Sequence, residues 1–225
     1  MLKAVIFDMD GVLVDSEPLH YEVNKITMME KFGIDLDYEY YKQYIGSTVM
    51  AMWKKIIKDF SIERYTSEEL FDLSEEVKER LVDEKGYPEV PGVVDFVKSI
   101  SGKYKLAVAS SSALVNIEKN VTKLGIKDDF SSLVTGLSVA NPKPSPDIFL
   151  KAAELLGVEP SECIVVEDSC NGTRAAKAAG MACIGFINPG SGDQDLSAAD
   201  YLFESFDNID EGFLEMVHSH HFAEP

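Results

Sequence analysis

Cysteine is scarce in this chain: Cys163, Cys170 and Cys183 are three residues among 225. Their spacing forms no Cys-x-x-Cys metal pattern, and an odd number cannot pair completely. Cys163 and Cys183 also sit in apolar runs, where a free thiol behaves as a small hydrophobe. A disulfide framework is not needed, because a chain of this length buries about 70% of its unfolded surface. A reducing compartment is expected. Basic residues are few as well, 21 Lys and Arg against 39 Asp and Glu, for a net charge of −18. Such a surface repels nucleic-acid phosphates and anionic lipid, which argues against both as partners. An anionic metabolite meets the same repulsion, so a site for one must gather positive charge locally. No apolar run approaches the roughly 20 residues of a membrane-spanning helix. The chain passes from Met1-Leu2-Lys3 straight into Ala4–Phe7 without a signal-peptide layout. A cytoplasmic protein, monomeric or weakly dimeric, is expected.

What the chain does contain is an alternation. Ala4–Phe7, Leu106–Ala109, Leu133–Thr135, Ile164–Val166 and Cys183–Phe186 are apolar runs of strand length. Between them, Leu114, Ile117, Val121 and Leu124 fall at helical spacing, as do Ile148, Ala152 and Leu155. Gly125 and Gly157 follow as stops, and Pro146-Asp147 suits a helix start. Strand–helix–strand alternation implies an α/β fold: a parallel sheet with helices on both faces and right-handed crossovers, as in Rossmann-like proteins. One stretch, about Ser16 to Tyr87, breaks the pattern. Leu19, Val23 and Ile26 form one helical stripe there. Trp53, Ile56 or Ile57, and Phe60 form a second, and Leu70, Leu73, Val77 and Leu81 a third. The expected organisation is a core of residues 1–15 and 88–225 with an inserted all-helical domain, 16–87. Its hinges would lie near Asp15–Ser16 and Tyr87–Pro91, beside the strand ends where open α/β sheets bind ligands.

Chemistry concentrates after the strands. Asp8-Met9-Asp10-Gly11 directly follows the first run, so two carboxylates at i and i+2 project into one crevice. Gly11 lets the backbone turn so that N–H groups can face an anion. An Asx-rich turn is the plainer alternative. Ser110-Ser111 follows the second run and could hold a phosphate oxygen at a helix start, or simply cap the helix. Lys143, in Asn141-Pro142-Lys143-Pro144, has prolines on both sides that restrict its backbone, although a loop lysine can also be merely solvated. Glu167-Asp168 follows the fourth run, and a paired acid suits a hard cation such as Mg²⁺ or, alternatively, a helix cap. Four carboxylates in one crevice cannot all ionise cheaply, and a divalent cation together with Lys143 supplies the compensation. Glu17 and His20, at i,i+3, share a face of the first inserted helix. His218, His220 and His221 fall in the last eight residues and read as a frayed tail.

These four stretches, in this order, resemble phosphatases of the haloacid dehalogenase (HAD) superfamily, in the β-phosphoglucomutase-like branch with a helical cap. The resemblance implies that Asp8 attacks phosphorus and that Asp10 protonates the leaving oxygen and later activates water. It implies that Ser110 and Lys143 hold the phosphoryl group, and Gly11 and Ser111 are expected beside them as phosphate-binding residues. Mg²⁺ would be held by Asp8, the Asp10 carbonyl and Asp168, with Glu167 in or beside the coordination sphere. It also implies that His20 faces the active site and coordinates the acid–base step with cap closure, with Glu17 beside it as a cap and substrate residue; an ordinary polar residue near a helix start is the plainer alternative for His20. An aspartate at position 10 argues for phosphate esters rather than carbon–halogen bonds, because an alkoxide leaving group needs a proton.

The sequence departs from the mutase pattern at two cap positions. The arginine expected three residues after Gly46 is Val49, and an ungapped reading back from Pro91 puts Leu73 where a lysine would stand. Lys54 or Lys55 could substitute only from the next turn, about 5 Å away along a helix. The expectation is therefore a Mg²⁺-dependent phosphatase that hydrolyses small phosphorylated metabolites, sugar phosphates foremost, through an aspartyl-phosphate. The alternatives are a hexose-phosphate mutase and an inactive binding protein on the same fold.

Overall fold

The computed structural model describes residues 1–44 and 49–223. These form two compact units, one of residues 1–15, 89–189 and 193–225, the other of residues 16–88 and 190–192. Among the described residues, four α-helices belong to the second unit: α1 Glu17–Phe32, α2 Tyr38–Tyr41, α3 Val49–Asp59 and α4 Ser67–Lys85. The first unit carries α5 Val93–Ile100, α6 Leu114–Lys123, α7 Asp147–Leu156, α8 Cys170–Ala178 and α9 Glu211–His221. Its strands are β1 Ala4–Phe7, β2 Lys105–Ser110, β3 Ser132–Thr135, β4 Cys163–Glu167, β5 Ala182–Phe186 and β6 Tyr201–Phe203.

The strands make one parallel sheet in the order β3-β2-β1-β4-β5-β6, with Ile6 opposite both Ala107 and Val165. Parallel strands covered on both faces read as continuous apolar runs. On one face Ala4, Ile6, Ala107 and Val165 join Phe149 and Ala152 of α7 and Ala175 of α8 in one cluster. On the other, the Phe7 ring lies edge-on to Phe96 of α5 at 6.2 Å and to Phe130 at 6.0 Å. The α7 stripe differs from the expected one by a residue. Leu155 is 53% exposed and Leu156 faces the core, since the buried set runs Ile148, Phe149, Ala152, Ala153, Leu156. Leu114 is likewise exposed, so the buried stripe of α6 starts at Ile117.

The C-terminal segment is a helix and not a frayed tail. Asp210 caps α9 by accepting from the Phe213 N–H, and Leu214, Val217 and His218 are buried. His218 Nε2 lies 2.9 Å from the Ser161 carbonyl, and His221 Nδ1 lies 2.9 Å from Asp200 Oδ1. These tertiary partners hold the three-histidine segment in place.

In the second unit, Leu19 and Val23 of α1 pack with Val77 and Leu81 of α4. A second cluster gathers Met28, Leu36, Tyr41, Met52, Trp53 and Leu70. A capping box between Thr66 and Glu69 starts α4 by pairing two otherwise orphaned donors. Among its described residues this unit contains no strand. Gly46, with its neighbours Ile45, Ser47 and Thr48, lies outside the described residues.

Candidate active site

The order of the strands turns at β1, which has β2 on one side and β4 on the other. The crevice beyond β1 is therefore where an open parallel sheet binds ligands. Asp8 extends β1 by one rung, its N–H donating to the Val166 carbonyl at 3.0 Å, and its side chain is nearly buried. The chain then closes tightly: the Leu13 and Val14 N–H groups both donate to the Met9 carbonyl. Gly11 makes this possible at φ 83°, a left-handed conformation that glycine adopts without strain. Its own N–H donates to the Val14 carbonyl at 2.8 Å, and its carbonyl accepts from Asn188 Nδ2 at 2.8 Å. The phosphate contact expected of Gly11 is thus not available through its N–H, and what the residue contributes is the turn.

Lys143 links the strand ends. Its Nζ donates to Asp8 Oδ1 at 2.5 Å, to Glu167 Oε1 at 2.6 Å and to the Ala109 carbonyl at 3.2 Å. It also lies 5.0 Å from the centre of the Phe149 ring. Glu167 is fully buried. Its Oε2 accepts from the N–H groups of Asp168 and Ser169 and from Ser169 Oγ. Ser169, and neither acid, caps α8 by accepting from the Gly172 N–H. Gly172 is forced by packing: a Cβ there would sit 1.8 Å from the Glu167 carboxylate.

The serines separate. Ser110, fully buried at the end of β2, donates to Asp10 Oδ2 at 3.3 Å and accepts from the Ser112 N–H at 3.0 Å. Ser111 is exposed. The expected helix start is not at this pair, because α6 begins at Leu114 after Ala113, which makes no side-chain cap. Ser112, absent from the expected site, donates to Asp10 Oδ2 at 2.8 Å.

Side-chain oxygens of Asp8, Glu167 and Asp168 lie within 4.8 Å of one another. Burial pushes the Asp8 carboxyl well above the usual carboxylate range, and Glu167 and Asp168 add to the effect against the opposing pull of Lys143. Burial alone would lower Lys143, but Asp8 and Glu167 outweigh it and hold the ammonium above the ordinary lysine value. Lys143 is one cation set against the carboxyl groups of Asp8 and Glu167, with Asp168 close by. An all-oxygen donor set of this kind fits a hard divalent cation. Asp10 is not among the three clustered side chains, and the donor expected of it is its main-chain carbonyl.

The structure thus gathers Asp8, Asp10, Ser110, Lys143, Glu167 and Asp168 in the first unit. Glu17 and His20 belong to the second, where they line a cavity of about 250 Å³ with Asn24, Tyr41, Val49 and Met52. Tyr41 donates to Glu17 Oε1 at 3.0 Å inside that unit.

A carboxylate-and-lysine cluster lies at the turning point of a Rossmann-like parallel sheet, and the family and relatives that match the chain make it a phosphoric monoester hydrolase. The model of the haloacid dehalogenase-like hydrolases matches residues 5–186, and the chain belongs to that family, in its β-phosphoglucomutase-like branch. It is 35% identical over 187 residues to a phosphorylated carbohydrates phosphatase of Thermotoga maritima, covering 80% of this chain and 82% of that one. It is 32% identical over 223 residues to the β-phosphoglucomutase of Bacillus subtilis, covering 96% and 94%. The crystal structure of CbbY from Rhodobacter sphaeroides in complex with phosphate superposes with a TM-score of 0.68 at 29% identity, over 96% of this chain and 100% of that one.

Proposed function

We propose that this enzyme is a Mg²⁺-dependent phosphatase of small phosphorylated carbohydrates that works through an aspartyl-phosphate on Asp8. The observation that carries the proposal is the pairing of a nearly buried Asp8 with Lys143 at 2.5 Å, beside two further acids at the strand ends. Asp8 attacks phosphorus as the bond to the ester oxygen breaks. Asp10 gives that oxygen a proton, then takes one from the water that releases phosphate from Asp8. Ser110 and Lys143 hold the phosphoryl oxygens. Asp8, Asp168 and the Asp10 carbonyl would hold Mg²⁺, which when bound would supply positive charge to offset that of the phosphoryl group. Residues 16–87 act as a cap that limits water while the phosphoenzyme exists, with Glu17 and His20 on its substrate side.

Hydrolysis is preferred to mutase chemistry because a mutase must grip a second phosphate. Val49 lines a cavity of the second unit whose lining, among the described residues, includes neither lysine nor arginine. Leu73 packs against the apolar cluster around Trp53. Lys55 is engaged by Gln43 and lies over the Tyr44 ring at 5.2 Å. Each charge-assisted bond lost to a distal phosphate costs about 1.5–3 kcal/mol. The resemblance to β-phosphoglucomutase over nearly both chains favours the mutase as the second reading. The test is β-glucose 1-phosphate with catalytic glucose 1,6-bisphosphate, following glucose 6-phosphate and inorganic phosphate together. Phosphate release matching substrate loss supports the phosphatase. Glucose 6-phosphate forming much faster than phosphate overturns it.

A further inference from the structure

We propose that Ser112 is a positioning residue for Asp10, fixing the carboxyl group that protonates the departing oxygen. The proposal rests on the acid role of Asp10 given above. Two hydroxyls converge on one oxygen of Asp10: Ser112 Oγ donates to Oδ2 at 2.8 Å and Ser110 Oγ donates to it at 3.3 Å. These two bonds fix the side-chain rotamer. Asp10 is exposed and sits in a tight loop, so without such partners its carboxyl group would sample several rotamers.

Ser112 is itself anchored from two strands. Its N–H donates to Ser110 Oγ at the end of β2, at 3.0 Å. Its carbonyl accepts from Thr135 Oγ1 at the end of β3, at 2.7 Å. The segments are close enough that a Cβ on Gly136 would meet the Ser111 Cα at 3.1 Å. Ser110 is also a phosphate-binding residue in the reading above, and a hydroxyl has a single proton to donate. When Ser110 turns that proton to a phosphoryl oxygen, Ser112 remains as the donor to Asp10.

The step it serves balances simply. The Asp8 oxygen bonds to phosphorus, the electron pair of the broken bond leaves on the ester oxygen, and the Asp10 proton neutralises it. A sugar alkoxide needs that proton, whereas p-nitrophenolate departs without it. The experiment compares kcat/KM for glucose 6-phosphate and p-nitrophenyl phosphate, since this ratio reports only the steps up to departure of the alcohol. Ser112→Ala is expected to lower the sugar phosphate value about 10- to 100-fold, the effect of one charge-assisted bond, and the p-nitrophenyl phosphate value less than about threefold on the same scale. Ser112→Thr, which keeps the hydroxyl, restores most of the loss. Thr135→Val, which removes the anchor without touching Asp10, gives a smaller loss with the same preference. Equal losses on both substrates, or none on either, overturn the proposal. Asp10→Asn separates the two claims. If it spares p-nitrophenyl phosphate while Ser112→Ala does not discriminate, only the role of Ser112 fails. If Asp10→Asn affects both substrates alike, the acid role of Asp10 fails first.

Discussion

Replacing Gly172 with alanine sets two physical effects against each other. The residue lies inside α8, where alanine normally stabilises a helix over glycine by about 1 kcal/mol. Here the new methyl group would sit 1.8 Å from Glu167 Cδ and Oε1 and 2.2 Å from Oε2. Restoring ordinary contact requires the carboxylate to move by about 1.5 Å. That displacement breaks or bends the bond from Lys143 at 2.6 Å and the three bonds to Oε2 from Asp168 and Ser169. The charged bond is worth about 1.5–3 kcal/mol and each other about 1 kcal/mol. After relaxation and the helix gain, a net loss of about 2–4 kcal/mol is expected. Urea unfolding should show it as a midpoint lower by roughly 1 M. Because Lys143 loses one of its two carboxylate anchors, kcat/KM should fall about 100-fold as well. Glu167→Asp shortens the crowded side chain, so it should cost less in the Gly172→Ala background than in the wild type. A variant as stable as the parent, with unchanged turnover, would refute this reasoning.

Chelation should abolish turnover, Mg²⁺ should restore it, and Ca²⁺ should restore it poorly because its larger shell misplaces the attacking oxygen. Asp168→Ala should raise the Mg²⁺ concentration for half-maximal rate at least tenfold or so, at about 1.4 kcal/mol per decade, and full activity in excess chelator would contradict the site. Asp200 tests the pH dependence of stability. Burial opposes its charge, but Lys177, the Cys183 N–H and His221 together hold its carboxyl below the usual range. A depressed carboxylate stabilises the fold above its unfolded value of about 3.9 and loses that contribution as pH falls through the folded value. Asp200→Asn should therefore cost about 1–2 kcal/mol at neutral pH, with the gap to the parent closing below about pH 4. Denaturation midpoints between pH 3 and 7 check it.

The central strands were legible because β1, β2, β4 and β5 are covered on both faces and leave unbroken apolar runs. The strand β6 was not, since it has three residues and its Leu202 is 49% exposed, so neither run nor alternation marks it. The helix α2, one turn long, has no room for a period. Asp8, Lys143, Glu167 and Asp168 were legible because each follows a strand or stands among prolines that limit its placement. Ser112 was not: three consecutive serines carry no phase, and only the end of β2 decides which hydroxyl reaches Asp10. The need for glycine at 172 depends on Glu167 meeting α8 from the strand end, and the order around His221 depends on Asp200. Such constraints come from tertiary partners that no local pattern reveals.

The covalent role of Asp8 is the central claim, and rapid acid quench during turnover of glucose 6-phosphate tests it most directly. Peptide mass spectrometry of the quenched protein should find a phosphoryl adduct on the peptide that contains Asp8. The Asp8→Asn variant should show neither adduct nor release of inorganic phosphate. An adduct on another residue, or phosphate released by Asp8→Asn at the parent rate, would contradict the account.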